Sequence, residues 1–338
     1  MVEIFLFALN AIAPILLLIL LGYFLKSIKL YDDSFLKTAN SLVFRILLPT
    51  LLFYNIYGID SLTALDFSSV GFAVLIVMIL FFLALATVVF FVKDPAQKGV
   101  ILQSAFRSNF AIIGMPMAEA LGGKSALATV AILSAVSIPL FNILAVISLS
   151  LFIKEEDSTI NWLNIIKKII KNPLIIGCGA GILALLIRSL IPVNNEGTHI
   201  FTIAQDLPFL YEAIGNLAKI ASPLALIVLG GQFSFKSVNK LLSMVILGTL
   251  WRIVIAPFIG ITSALIIASY TDLLSLNGGD ISAFIALFGS PAAVSSAIMA
   301  GEMGNDEELA GQLVVWTSIG SIFTIFLQVV LLKTMGVL

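Results

Sequence analysis

Two apolar segments of this chain each carry a polar, helix-breaking stretch near the middle. The first reads Arg107-Ser108-Asn109-Phe110-Ala111-Ile112-Ile113-Gly114-Met115-Pro116, and the second reads Gly289-Ser290-Pro291-Ala292-Ala293-Val294-Ser295-Ser296. Backbone groups freed by a break in hydrocarbon must bond to protein or to water in a cavity. Matched interruptions in two halves of a membrane chain are typical of a binding site. We therefore predict a site for a substrate where the two breaks meet.

The composition indicates a membrane protein. Hydrophobic residues make up 60% of the 338 residues, charged residues make up 11%, and the mean hydropathy is +1.14. Soluble domains carry about 25% charged residues. The net charge of −1 gives no reason to expect a nucleic-acid partner, and the single cysteine, Cys178, excludes an internal disulfide framework. We expect a polytopic protein surrounded by the lipid bilayer.

Ten apolar runs are long enough to cross about 30 Å of hydrocarbon, which takes roughly 20 helical residues. They lie at residues 4–25, 35–57, 68–92, 98–122, 125–153, 172–191, 207–232, 241–270, 281–304 and 309–333. The first run lacks a basic start and is of full length, so we interpret it as a retained span. The longest polar stretch, residues 154–171, is predicted to connect a first unit, residues 1–153, to a second unit, residues 172–338.

The two units resemble each other when they are aligned. Arg45 lies four residues before Pro49 in span two, and Lys219 lies four residues before Pro223 in span seven. In spans four and nine, Ser108 aligns with Ser290, and Asn109 falls opposite Pro291. Because each unit has five spans, an odd number, the second unit must enter the membrane upside down. The predicted fold is all-α, with ten transmembrane helices in two inverted five-helix repeats and broken, crossing helices four and nine.

Lysines are concentrated in the connectors after spans one, three, five and seven, and the opposite face has only Lys124, Arg188 and Lys333. Basic connectors stay in the cytoplasm. We therefore predict a multi-pass protein of the cell (inner or plasma) membrane with both termini outside the cytoplasm and the 154–171 connector inside it.

The predicted crossing favours an anion. Each half-helix that begins after a break carries about half a positive charge at its N-terminal end. Asn109 would cap such an end or hold a carboxylate, and Pro291 suits a position without an N–H donor. The alternative is that proline and glycine only kink packed helices. Our candidate substrate-binding residues are Arg107, Ser108, Asn109, Gly114, Ser290, Pro291, Arg45 and Lys219, with helix breaks at Pro116, Pro49 and Pro223.

Four cations lie within the predicted spans, where a lipid-facing charge costs about 2.5–3.5 kcal/mol. Arg107 is the first candidate for an anion ligand, although it would also suit a cation that reaches the cytoplasmic surface. Arg45 and Lys219 either line the same cavity or hold carbonyls freed at the prolines. Arg252 is interpreted as structural.

Ionisable acids are missing at mid-depth, so a carboxylate-driven cation exchanger is disfavoured. Glu119 and Glu302 lie at the far ends of the broken spans, as possible coupling residues or as water-facing end residues. The glycines of residues 177–181 favour close helix packing over nucleotide binding. The lone His199 lies in a loop, and the sequence contains no metal-ligand cluster or catalytic motif. We predict no enzyme activity, no cofactor and no metal site.

At these residues the chain resembles the auxin efflux carrier family, in its prokaryotic permease members. The resemblance covers nearly the whole chain and is most specific at residues 47–53, 108–116 and 290–295. It implies a homodimer, a scaffold of helices 1, 2, 6 and 7, and transport helices 3–5 and 8–10. It also implies an elevator motion, with substrate at Asn109 and Pro291. Family members move organic anions, including auxin in plants and malate or malonate in bacteria. The short central connector, unlike that of plant carriers, favours a bacterial or archaeal carboxylate carrier.

Three functions fit the sequence. The leading one is a secondary transporter, a permease or efflux carrier, for a small organic anion such as a carboxylate. A sodium-coupled symporter of the bile-acid type shares the architecture, but buried arginine and lysine disfavour an additional cation. A membrane ligand sensor that does not transport is the third.

Overall fold

The computed structural model describes residues 2–59, 67–153, 162–193, 200–271, 273, 274, 276 and 278–338. The described part is all-helical and contains no strand. In the first half the helices are α1 (Val2–Ser27), α2 (Asp33–Leu42), α3 (Leu48–Tyr57), α4 (Phe67–Phe91), α5 (Pro95–Phe106) and α6 (Met115–Leu151).

The described residues of the central connector and the second half form nine further helices. These are α7 (Trp162–Lys171), α8 (Pro173–Leu190), α9 (Ile203–Asp206), α10 (Pro208–Gln232), α11 (Lys236–Leu250), α12 (Ala256–Tyr270), α13 (Gly278–Gly289), α14 (Val294–Glu302) and α15 (Glu307–Thr334). Part of the predicted 154–171 connector is therefore helical, as α7, and residues 154–161 of it lie outside the described residues. His199 also lies outside them.

Seven helices of the described chain are long and apolar enough to cross a membrane, whereas the sequence predicts ten spans. They cover residues 33–57, 68–91, 129–151, 173–190, 208–232, 237–270 and 307–334. The difference lies in predicted spans one, four and nine. Spans four and nine are each divided by a break, and the pieces α5, α13 and α14 have 12, 12 and 9 residues. Predicted span one corresponds to α1, which includes the apolar stretch Ile12–Ser27.

Three π-helical turns each end two residues before a proline. The turns are Val43–Leu47, Phe110–Gly114 and Trp251–Ile255, and the prolines are Pro49, Pro116 and Pro257. A proline lacks an N–H and its ring clashes with the carbonyl four residues earlier, which in each case belongs to the middle residue of the turn. The wider π turn relieves this clash. Pro223 behaves differently, because α10 continues through it without a break.

A left-handed glycine ends each broken segment. Gly123, with a φ of 62°, interrupts α6 and separates its first part from its long second part. Gly304, with a φ of 71°, lies between α14 and α15. Only glycine adopts this conformation without strain. In the alignment of the two halves Gly122 pairs with Gly304, so the two turns are offset by one residue.

The helices pack in two groups. In the first, α1 packs against α10, α3 packs against α8, and α10 also contacts α3. In the second, α6 packs against α13, α5 and α4, while α15 packs against α11 and α14. The groups meet where α1 contacts α15 and where α6 contacts α8. A boundary between two helix groups is thus present, and the breaks lie in the second group.

Large apolar side chains face outward along many helices. Examples are Phe90 at 81% exposure, Leu190 at 83% and Phe258 at 68%. In water such a surface would cause aggregation, whereas in a bilayer it contacts lipid chains. The apolar helices and their outward apolar faces are those of a multi-pass membrane protein.

Candidate functional site: the crossing of the two broken segments

The two breaks lie side by side. Ser108 and Ala292 form an isolated antiparallel β-bridge. The Asn109 amide donates to the Pro291 carbonyl at 2.8 Å, and the Ala293 amide donates to the Arg107 carbonyl at 3.3 Å. The two stretches thus satisfy each other's freed backbone groups, as buried polar groups require. The predicted meeting of Asn109 with Pro291 is present as a direct hydrogen bond.

Local geometry explains where each segment resumes. Arg107 has an extended backbone, with φ −84° and ψ 95°, and ends α5. The Asn109 carbonyl then accepts from the amides of Ile112 and Ile113, which begins the π turn. In the second segment, Ala293 is extended, with φ −65° and ψ 133°, and α14 begins after it. Each break is therefore a short extended stretch between two half-helices.

A buried arginine joins the ends of the first half-helices. The Arg252 side chain is fully buried and donates to the carbonyl of Ala105, at 3.2 Å, and to the carbonyl of Phe288. These carbonyls belong to the last turns of α5 and α13, which lack helical donors and carry partial negative charge. The interpretation of Arg252 as structural agrees with this position.

Arg107 is also buried, but it has only neutral partners. Its Nη2 donates to Asn142 Oδ1 at 2.7 Å and to Ser295 Oγ at 3.0 Å. Its Nη1 contacts Gln103 Oε1 at 3.4 Å and Met299 Sδ at 3.2 Å. Among the described residues no ion pair includes Arg107. A buried guanidinium without an acid keeps its positive charge available to an anion.

A small cavity, which we call the crossover cavity, lies against Arg107. Its volume is about 50 Å³, which holds roughly three to five waters. Its lining comes from both helix groups and includes Arg107, Ser108, Asn109, Asn142, Ser295, Leu48, Leu52, Leu174, Ser222 and Ala225. In this conformation the cavity fits a ligand of only a few heavy atoms, held where the two groups meet.

Two polar groups of the residues that line the cavity lack a partner. Ser108 Oγ and Asn109 Nδ2 are both buried and make no hydrogen bond to any described residue. Unpartnered buried donors cost about 1–3 kcal/mol each, so they are typical of sites where a ligand supplies the acceptor. Ala293, Val294 and Ser295, at the start of α14, also line the cavity, so the positive end of that helix faces it. All of these features favour a negatively charged ligand.

Sequence reasoning missed three residues that hold Arg107. Gln103 accepts from Arg107 and donates from Nε2 to the Ser296 carbonyl at 3.0 Å, which fixes its amide. Asn142 lies on α6 and also contacts Cys178 of α8 at 3.7 Å. A polar residue inside an apolar span was the available signal for Gln103 and Asn142, and Ser295 was quoted in the second break but not assigned a role.

The other predicted cations lie elsewhere. The Arg45 side chain is 69% exposed and lies 3.9 Å from Glu302 Oε2. Lys219 is exposed on α10. Neither residue lines the crossover cavity. Pro49 and Pro223 are both predicted to break their helices. Pro49 follows a widened turn but lies within the continuous helix of residues 33–57, and Pro223 lies inside α10, which corrects both predictions.

The remaining candidates have the following positions. Gly114 caps α6 and packs against the Phe110 ring, where a Cβ atom would lie 2.5 Å from a ring carbon. Pro116 is in the first turn of α6. Ser290 is buried and donates to the Ala286 carbonyl at 2.5 Å. None of the three lines the crossover cavity.

The two acids differ. Glu119 is exposed on α6. Glu302 ends α14, and its carboxylate accepts from Asn40 Nδ2 at 3.1 Å. Within the described ranges no three histidine, cysteine, aspartate or glutamate side chains form a group that could hold a metal ion.

Comparison with known protein families identifies a match over nearly the whole chain. A family described as "Membrane transport protein" matches residues 7–329, which is nearly the whole chain. No curated protein matches the sequence. The matched family is one of membrane transporters and not of enzymes. The chain, with its apolar helices and its broken segments, therefore belongs to this membrane transport family, the auxin efflux carrier family.

Proposed function

We propose that this protein is a secondary transporter for a small organic anion such as a carboxylate. The observation that carries the proposal is the environment of Arg107, a buried cation that faces the crossover cavity with neutral partners alone among the described residues. The Ser108 hydroxyl and the Asn109 side-chain Nδ2, neither of which has a partner among the described residues, add donors beside it. A carboxylate accepts several hydrogen bonds at once, and charge-assisted bonds of this kind are the strong ones.

The proposed architecture has ten spans in two inverted five-helix repeats. Its support is the order of elements, since each half contributes five segments of which the fourth is broken. The first half contains α1, α2 with α3, α4, α5 with the start of α6, and the rest of α6. The second contains α8, α10, α11 with α12, α13 with α14, and α15. The antiparallel bridge at Ser108 and Ala292 also supports inversion, because the two broken segments run in opposite directions.

The proposed mechanism is an elevator motion of the second helix group against the first. The position of the crossover cavity supports it, since Leu48, Leu174 and Ala225 line it from the first group and Arg107 and Asn142 line it from the second. A displacement of the second group would carry these last two residues, with the anion, past the first. We further propose a homodimer in the cell membrane with both termini outside the cytoplasm.

The test is uptake of labelled acetate, malonate and malate into vesicles that contain the purified protein. Arg107→Ala and Asn109→Ala should each reduce uptake at least about tenfold, because a hydrogen bond to a charged group contributes about 1.5–3 kcal/mol. Lys219→Gln is the control, because it removes an exposed cation that lies outside the cavity lining.

Each outcome has a definite meaning. Uptake that is unchanged in both site variants would reject the crossover cavity as the substrate site. Saturable binding without uptake under any imposed gradient would favour a sensor. Uptake that requires sodium would favour the bile-acid type of symporter.

A further inference from the structure

A second cavity, which we call the vestibule, opens on the side of the molecule that carries α7. Its volume is about 630 Å³. Its lining includes Phe44, Leu149, Ser150, Lys167, Lys171 and Glu302. It is much larger than the crossover cavity and shares no lining residue with it.

The two cavities lie along the same helices. On α6, Asn142 lines the crossover cavity and Leu149 lines the vestibule. On α14, the corresponding residues are Ser295 and Glu302. Both pairs are seven residues apart, which corresponds to about 10 Å along a helix. The vestibule is therefore the next space that an anion would occupy on its way between the crossover cavity and the α7 face.

The vestibule presents positive charge on one wall. Lys167 and Lys171 are four residues apart on α7 and so share a face of that helix. Neither forms an ion pair with any residue that the structure describes. Ser150, on α6, lines the same space and is 92% buried, and its Oγ has no hydrogen-bond partner among the residues that the structure describes.

The acid of the vestibule is engaged elsewhere. Glu302 accepts a hydrogen bond from Asn40 and lies 3.9 Å from the Arg45 guanidinium. The negative charge of Glu302 is thus partly balanced by Arg45. An anion beside α7 would meet two lysines, close to the buried Ser150 hydroxyl.

We propose that the vestibule is a second anion-binding position, where Lys167, Lys171 and Ser150 hold the organic anion before it enters the crossover cavity. This rests on the proposed function, because the ligand is the same small carboxylate. A positive, recessed surface raises the local concentration of an anion and its association rate by about 10–1,000-fold, and salt screens this effect. For two lysines we expect an increase in the association rate at the lower end of that range, about tenfold.

The experiment measures association and dissociation of labelled malonate with the protein in phosphatidylcholine nanodiscs. Lys167→Gln/Lys171→Gln should slow association and raise the Kd by roughly three- to tenfold at low salt, and the difference should shrink at about 0.5 M salt. The dissociation rate from the crossover cavity should stay unchanged. Lys93→Gln/Lys240→Gln is the matched control, since it also removes two exposed lysines but neither lines a cavity named above.

The outcomes separate the two proposals. In one outcome the wild type binds malonate, Arg107→Ala abolishes this binding, and Lys167→Gln/Lys171→Gln binds like the control variant. This outcome would overturn the vestibule proposal and leave the proposed function standing. If the wild type binds neither malonate nor acetate nor malate, both fall together. A lysine effect that occurs only when phosphatidylglycerol is added would assign Lys167 and Lys171 to lipid headgroups and would also overturn the proposal.

Discussion

Replacement of Arg252 by methionine should destabilise the folded protein. The guanidinium donates to the carbonyls of Ala105 and Phe288, in the last turns of two half-helices. Each carbonyl left buried without a donor costs about 1–3 kcal/mol. Two effects offset this loss. Arg252 Nε has no partner among the described residues, so no bond is lost there, and the substitution removes the desolvation cost of a buried charge. We expect the free energy of unfolding to fall by about 2–4 kcal/mol.

The assay is unfolding of the purified protein in mixed micelles with increasing dodecyl sulfate, followed by circular dichroism. Arg252→Lys should lie between the wild type and Arg252→Met, because an ammonium group does not offer the planar fork that reaches two carbonyls. Lys219→Met, which removes an exposed cation, should change the free energy of unfolding by less than about 0.5 kcal/mol. If Arg252→Met is as stable as this control, the proposed connection of the half-helix ends by Arg252 is wrong.

The same measurement on Arg107→Met distinguishes a structural cation from a binding one. Arg107 donates to the side chains of Asn142 and Ser295, which line the crossover cavity, where water can replace the guanidinium as their partner. The free energy of unfolding should therefore change by less than about 1 kcal/mol, while anion binding is lost. A loss of stability equal to that of Arg252→Met would identify Arg107 as a second structural residue.

Three further predictions concern other parts of the molecule. Gly177→Ala should lower the free energy of unfolding by about 1–3 kcal/mol, because the new Cβ would lie 2.5 Å from the Pro49 carbonyl oxygen. Gly179→Ala is the control and should have little effect, because no atom lies within 4 Å of the Cβ position at Gly179. Glu302→Gln should alter the rate of uptake, because it removes the carboxylate charge that lies 3.9 Å from the Arg45 guanidinium. A rate equal to that of the wild type would exclude Glu302 from coupling. Cys178 is 2% exposed at the contact of α8 with α6, so maleimide labelling should be slow at rest and faster during transport. A labelling rate that substrate does not change would contradict the proposed motion.

The positions of the breaks could be predicted because they depend on local chemistry. Glycine, proline and small polar residues interrupt two otherwise apolar segments, and a helix interior does not accommodate them without a gain elsewhere. The contact between Asn109 and Pro291 followed from the alignment of two similar halves. Both inferences need only the order of residues along the chain, and the hydrogen bond between the two backbones agrees with them.

The burial of the cations could not be predicted in the same way. Arg45, Arg107, Lys219 and Arg252 all lie within predicted spans, yet only Arg107 and Arg252 are buried. Burial depends on how each helix is rotated against its neighbours. A helix that is apolar on every side, such as α4, has no polar face from which that rotation can be read. The sequence therefore identifies four candidate cations, and the packing of the helices buries two of them.

We propose different functions for the two buried arginines because they meet opposite ends of the half-helices. Arg252 lies at the C-terminal ends of α5 and α13, where the carbonyls are partly negative, so its charge is used within the fold. Arg107 lies in a cavity that also contains the N-terminal end of α14, which is partly positive. Without an anion, the positive charge there is stabilised by neutral oxygens alone, which explains why Asn142 and Ser295 must point at it. Such a site stabilises an anion and disfavours a second cation, and it therefore favours an organic-anion carrier over a sodium-coupled one.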